Sequence, residues 1–374
     1  MIAMGSANGP GIEVVGSSGS GKTYAGTTIA INMVLEGASG SIIDPKSEMG
    51  KLKNLDGVIG PVSSFDITDG DGRSGMLDPF LLQKLRGNEP TKAINGVMSV
   101  LSLILGSHYE QYKSVIFTSL SEYTKIPGPD PSLFNYIRWL NSTPSTSERD
   151  FQRTNLTSEL VILSDMPSAD LILGPHDPGA LSSIQQLAST DTGLKIITTL
   201  GLKLPESKTD NPTDEQRVAQ AVMYLICDII FAAMSNREKK DLPKFLFIDE
   251  AWMILQNETV ANLVATSIRL GRSFNYVTML VSQNASELET GGVANNIGAA
   301  FVFKASNDEN RESSVRMLGG DKSDVSPQMV ADLPTGHCYL RDGENRVGRV
   351  HVIQPSTKMA QLLDSRAIKG RSRR

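Results

Sequence analysis

An α/β fold on a mainly parallel central sheet, interrupted by a helical insertion and closed by a C-terminal β-hairpin, is what this sequence predicts. Three observations lead there. Ile12-Glu13-Val14-Val15, a glycine-rich loop and then Tyr24 to Leu35 read as strand, turn and helix. Phe245-Leu246-Phe247-Ile248 is a fully apolar run closed by two acids, as a strand covered on both faces of a parallel sheet would be. Between them, from about Leu85 to Ala188, only helix-like apolar spacing is left.

The chain has 374 residues, 40% of them hydrophobic and 21% charged, which suits one large domain with an insertion or two smaller domains. A net charge of −5 and a pI near 5.5 give no global attraction to nucleic acid or to an anionic membrane. Any DNA contact therefore needs a local basic strip. Cys227 and Cys338 are too few for a disulfide framework or a cysteine zinc site, and a reducing cytoplasm is the simplest compartment. His108, His176, His337 and His351 show no metal-ligand spacing. The N-terminus lacks the basic and apolar regions of a signal peptide, and no uncharged apolar stretch approaches the length of a membrane span. Docking at a membrane through partners is the expectation. The eleven residues before the first strand, rich in Gly, Ser and Ala, suggest a domain cut from a longer protein.

The elements follow in order. Gly40 to Asp44 reads as a second buried strand stopped by Pro45, with Lys46-Ser47-Glu48-Met49 at the end where ligands of open α/β sheets gather. Val58 to Phe65 is a third β-prone piece, followed by a Gly/Asp-rich loop and Met76-Leu77-Asp78-Pro79-Phe80. In the insertion, Ala93 to Leu105, Gln111 to Thr124, Ser132 to Asn141 and Thr157 to Leu163 carry helical spacing, and their apolar stripes read as packing surface. Alternation resumes with a strand at Leu194 to Leu200. Thr213 then opens a long apolar helix to Met234, with Gln216 at capping-box spacing. After the strand at Phe245 come a helix from Thr259 to Arg272, strands at Tyr276 to Val281 and Gly298 to Phe303, and a hairpin of Cys338 to Arg341 with Val347 to Ile353. The core is thus expected at 1–84 and 189–374, the all-helical insertion at 85–188.

Residues 16 to 23, GSSGSGKT, fit the P-loop pattern G-x-x-x-x-G-K-[ST]. Backbone N–H groups across Gly16, Ser17, Ser18, Gly19, Ser20, Gly21 and on to Tyr24 are expected to cradle phosphates, aided by the positive end of the following helix. Lys22 would reach the β/γ-phosphates, and the Thr23 hydroxyl would hold Mg²⁺. A plain glycine turn is the bland alternative. Asp249-Glu250 closes the apolar strand in a Walker B pattern, Asp249 aimed at Mg²⁺ and Glu250 at the attacking water. Otherwise the acid pair is a solvated turn. Gln283, ending the strand from Tyr276, is a candidate γ-phosphate sensor or simply a polar strand end. Arg269 and Arg272 close the preceding helix. Either could stabilise a neighbouring subunit's transferring phosphoryl, or could merely favour a helix C-terminus through its dipole. Arg311 and Arg316 are weaker candidates. Ser207-Lys208-Thr209-Asp210 mimics a guanine-recognition motif but reads as a polar loop, and the basic tail from Arg366 to Arg374 reads as a solvated end.

Taken in order, GSSGSGKT, IIDPKSE, MLDPF, FLFIDEAW, IRLGRSFNYVTMLVSQ and LPTGHCYLRDGENRVGRVHV resemble the ATPase domain of type IV secretion and conjugation ATPases of the TraC/TrwK kind, within the HerA/FtsK group of RecA-like motors. The resemblance implies a RecA-like P-loop NTPase core with a helical insertion, and the cofactors ATP and Mg²⁺. It implies Lys22 and Thr23 for phosphate and Mg²⁺, Asp249 for Mg²⁺, Glu250 as catalytic carboxylate, Gln283 as sensor and Arg272 as a trans-acting finger. Ser273 departs from the family, standing where many relatives have a second basic residue. The family's N-terminal channel-docking domain is expected to lie outside this stretch of sequence. Implied partners are other secretion-system subunits at the inner face of the cell membrane and further copies of the chain, as a hexamer. Two other functions stay open: a DNA-translocating coupling protein or HerA-like pump, marked by DNA-stimulated hydrolysis, and a nucleotide-gated binding module without catalysis, against which Glu250 and Gln283 count.

Overall fold

The computed structural model describes residues 9–87, 90–128, 130–142, 148–205, 211–289 and 292–353, with 356 and 359. The loop at Ser207–Asp210 and the basic tail lie outside these residues. The chain divides into two compact units, one of residues 1–66, 190–200 and 230–374, the other of 67–189 and 201–229.

The first unit is built on nine strands: β1 (Gly11–Val15), β2 (Ser39–Asp44), β3 (Val62–Asp66), β4 (Gly193–Thr198), β5 (Lys244–Ile248), β6 (Tyr276–Ser282), β7 (Ile297–Val302), β8 (His337–Arg341) and β9 (Val347–His351). Their order is β3-β4-β2-β5-β6-β1-β7-β8-β9. Pairing is parallel from β3 to β7 and antiparallel from β7 through the β8–β9 hairpin. Every residue of β1, β2, β5, β6 and β7 is buried, which is why β5, β6 and β7 read as near-continuous apolar runs rather than alternating ones.

Placing β6 between β5 and β1 is the decision that makes a site. The P-loop leaves β1, Asp249 follows β5, and Gln283 leaves the sheet between them. The helix Lys22–Leu35 covers one face, where Ile12, Val14, Ile31, Ile42, Phe247 and Met279 share one core. Burying each such side chain contributes about 1.5–3 kcal/mol. The helix Glu258–Phe274 is capped by Asn257, whose side chain accepts from Thr259 N and Val260 N, and ends on Asn275 in the left-handed region at φ 53°.

The second unit is helical: Pro79–Leu85, Pro90–Leu105, Tyr109–Tyr123, Leu133–Ser142, Glu148–Ser164, Asp170–Leu173 and Ala180–Ala188, together with most of Asp214–Met234. The fully buried Asp78 fastens it. Its carboxylate accepts from Phe80 N at 2.8 Å and Leu133 N at 2.7 Å and lies 2.9 Å from His176 Nε2.

Two local readings change. The strand expected from Val58 begins only at Val62, because Gly57 and Gly60 turn at φ 72° and 114° and Pro61 follows. The helix expected from Thr157 starts at Glu148, its polar first turns hiding the period. The helix Asp214–Met234 is long and apolar enough to cross a membrane, although it carries Arg217 and Asp228. Since 72% of its most apolar window is buried inside the protein, it has the character of a core helix. Its start is the expected capping box, with Gln216 N donating to Thr213 Oγ1 at 3.3 Å and Thr213 N to Gln216 Oε1 at 2.9 Å.

Candidate functional site

The glycines of the loop answer to definite constraints. Gly16 has φ 153°, and a Cβ there would meet Phe303 Cβ at 2.5 Å. Gly21 has φ 109° and caps the helix Lys22–Leu35 without any side-chain hydrogen bond. Neighbouring backbone holds the loop open: Ser17 N donates to Lys304 O at 2.8 Å, Gly336 N to Ser20 O at 2.9 Å, and Ser17 Oγ to Ser306 Oγ at 2.9 Å. Ser18 and Gly19 are exposed at its crest, Thr23 and Tyr24 are half-buried, and Ser20 Oγ is buried without a hydrogen-bond partner.

Lys22, only 6% exposed, brings a cation to the end of the sheet. Burial pushes its ammonium below the usual range, while Glu250 and Asp249 pull the other way. Asp249 is 3% exposed, its N–H donates to Ile43 O at 3.1 Å, and its Oδ1 has no hydrogen-bond partner. Burial raises its carboxyl to about 7, with Glu250 and Asp44 adding to the rise and Lys22 opposing it. A buried acceptor left bare costs about 1–3 kcal/mol, so its retention points to a ligand.

Glu250 occupies the left-handed region at φ 49°, which glycine tolerates and glutamate does not favour. That turn aims its carboxylate into a set of donors. Lys46 Nζ donates to Oε1 at 2.5 Å, Trp252 Nε1 to Oε2 at 2.9 Å, and Gln283 Nε2 to Oε1 at 3.1 Å. Burial acts to raise Glu250, but the hydrogen bonds from Lys46, Trp252 and Gln283 outweigh it and hold the group below the usual carboxylate range. Lys46 reaches this position from a loop pinned by Asp44, which is fully buried and accepts from Glu48 N at 3.1 Å and Met49 N at 2.8 Å. Sequence reasoning placed Lys46 at a ligand-gathering strand end without seeing this contact, and it missed Trp252. The available signal was β2 neighbouring β5, which no local pattern states.

Lys22, Asp249, Glu250 and Gln283 thus converge. Arg269 and Arg272 do not. Their helix ends where β6 begins, with Gly271 against Pro10, which precedes β1. The seven residues of β6 separate that end from Gln283 by roughly 20 Å. Arg269 Nη2 donates to Thr266 Oγ1 at 3.0 Å, and both arginines are exposed. Arg311 lies nearer the P-loop, donating to Ser306 O at 2.9 Å and pairing with Asp308 at 2.7 Å. Arg316 pairs with Glu289 at 3.5 Å.

The fold is that of known P-loop NTPases. VirB4 of Thermoanaerobacter pseudethanolicus superposes with a TM-score of 0.71 at 15% identity, over 93% of this chain and 91% of that one. The plasmid coupling protein TrwB in complex with ADP and Mg²⁺ superposes with a TM-score of 0.63 at 18% identity, over 94% and 87%. Among curated proteins, the uncharacterized protein YddE of Bacillus subtilis (strain 168) is 22% identical over 363 residues, 92% of this chain. The chain spans 41% of that relative's length. The AAA-like domain family matches residues 4–363, and to that family this chain belongs.

Proposed function

We propose that this chain hydrolyses ATP with Mg²⁺ as a motor domain of a type IV secretion or conjugation machine. The observation that carries the reading is Glu250, a carboxylate turned into the site by a left-handed backbone and held by Lys46, Trp252 and Gln283 beside Lys22 and Asp249. A structural acid at a strand end needs no such set of donors.

The residues fit both groups. The uncapped helix N-terminus behind a loop of left-handed glycines and the buried Lys22 suit a polyphosphate, which Gly16 to Tyr24 would bind. The bare, buried Asp249 Oδ1 suits a hard cation, and with Thr23 it would hold Mg²⁺. Mg²⁺, when bound, supplies neutralisation of charge on the phosphate oxygens. Lys22 orients the terminal phosphates by its charge. Glu250 holds the attacking water and receives its proton, while Gln283 and Lys46 fix the carboxylate's plane.

Arg272, or Arg269 beside it, acts in this reading from a neighbouring copy, because its own site lies at the other end of β6. Hydrolysis per chain should then rise with protein concentration as copies associate, and a flat specific activity across that range would remove the arginine. The machine's other subunits, at the inner face of the cell membrane, are the proposed partners of a cytoplasmic homo-oligomer. Phosphate release from MgATP tests the activity. Parent protein should turn over and Lys22→Ala should not; equal rates in both would refute the site. A second reading, a DNA-translocating coupling protein, draws on the shared fold with TrwB. It requires that duplex or single-stranded DNA raise the hydrolysis rate several-fold.

A further inference from the structure

Away from the P-loop, on the opposite face of the same sheet, β1 carries an acid the hydrolytic site does not use. Ile12 and Val14 point into the core beneath the helix Lys22–Leu35, so Glu13 between them points to the other face. It is 2% exposed, and its Oε1 has no hydrogen-bond partner. Across the sheet Glu13 pairs in register with Ala300, and Ala300 with Arg341. The small alanine leaves room above it.

Glu13 and Arg341 there line a cavity of about 450 Å³, with Arg316, Lys322, Glu289 and Asn345 around it. Arg341 is held in place, Nε donating to Met317 O at 2.8 Å and Nη1 to Asn345 Oδ1 at 3.1 Å. Glu289 offsets part of the charge of Arg316, at 3.5 Å. Cations predominate on the wall, yet the acid at its floor has not formed an ion pair within 4 Å among the described residues.

We infer that this cavity is a second ligand site, for a small molecule carrying a phosphate monoester. Arg341, Arg316 and Lys322 supply positive charge, and the guanidinium N–H groups that Met317 O, Asn345 Oδ1 and Ser313 Oγ leave unused are the donors to phosphate oxygens. Glu13, protonated, supplies an O–H donor to one of those oxygens, which gives its orphaned oxygen a partner. The volume leaves space for an organic portion beside the phosphate. Burial, opposed by Arg341 and assisted by Glu289, raises Glu13 to about 8. The acid is thus neutral near pH 7, and above pH 8 its carboxylate repels the ligand.

Calorimetric titration of the chain with glycerol 3-phosphate tests this, using Lys22→Ala protein to remove phosphate binding at the P-loop. Expected is one saturable site that survives Lys22→Ala and weakens about tenfold in Lys322→Ala and in Arg341→Met. Lys322 is exposed, so its replacement reads the site even where Arg341→Met does not fold. Affinity should fall as pH rises through about 8 in the Lys22→Ala protein and stay flat when Glu13→Gln is added, the ligand itself remaining dianionic from about pH 7 upward. No saturable binding in Lys22→Ala, indifference to Lys322→Ala, or preference for succinate over glycerol 3-phosphate would each overturn the assignment.

Discussion

Two neighbouring strands, β2 and β5, both end in a buried aspartate, and the two aspartates have opposite fates. Asp44 is fully satisfied, its oxygens accepting from Glu48 N and Met49 N so that the following loop is pinned. Asp249 keeps one oxygen bare in equal burial and sits beside Lys22 and Glu250. Both are buried aspartates, one closing β2 and the other directly after β5. What separates a structural acid from a ligand-binding one is whether the protein has already used its lone pairs.

The largest effect should come from Asp249→Asn, which keeps shape and removes the charge. Turnover of MgATP should drop about a thousandfold, while thermal stability holds or rises because a buried charge has gone. Activity within tenfold of the parent would erase the contrast between the two aspartates. Glu13→Gln should show in stability against pH. With its pKa raised from 4.5 to about 8, native Glu13 favours the fold fully below pH 4.5, and that stability is lost as pH climbs to 8. Unfolding free energies from urea titration should therefore shift in the variant's favour by on the order of 3 kcal/mol between pH 5 and 8, then level off. Asp44→Asn should cost about 1–3 kcal/mol of stability, because its amide faces an N–H donor, with ATP affinity changed less than about threefold. Lys46→Met should lower kcat about tenfold with ATP affinity intact, the split expected of a group that positions Glu250.

Much of the sheet was legible because strands covered on both faces are short apolar runs punctuated by glycine and proline, and Phe245–Ile248 or Tyr276–Val281 could hardly be anything else. The P-loop pattern and the acid pair could be proposed from the sequence because their spacing is local. Lys46 was not legible: it meets Glu250 across 204 residues, through a strand adjacency that only the sheet order creates. Nor was the left-handed turn at Glu250, since the sequence offers a glutamate where a glycine would have signalled it. Glu13 was hidden by its own strand. A single acid in a β-prone run reads as a surface position until β7 and β8 are found beyond it. Arg269 and Arg272 were visible as a pair, and their distance from Gln283 follows from the length of β6 that lies between them.

The Glu250 carboxylate, in the proposed function, performs hydrolysis and not merely binding. Glu250→Gln separates the two most directly, with nucleotide affinity and single-turnover cleavage of γ-labelled ATP measured on the same protein. Affinity is expected within about threefold of the parent, with cleavage slowed by at least about a hundredfold. Cleavage at the parent's rate would contradict a hydrolytic role for Glu250.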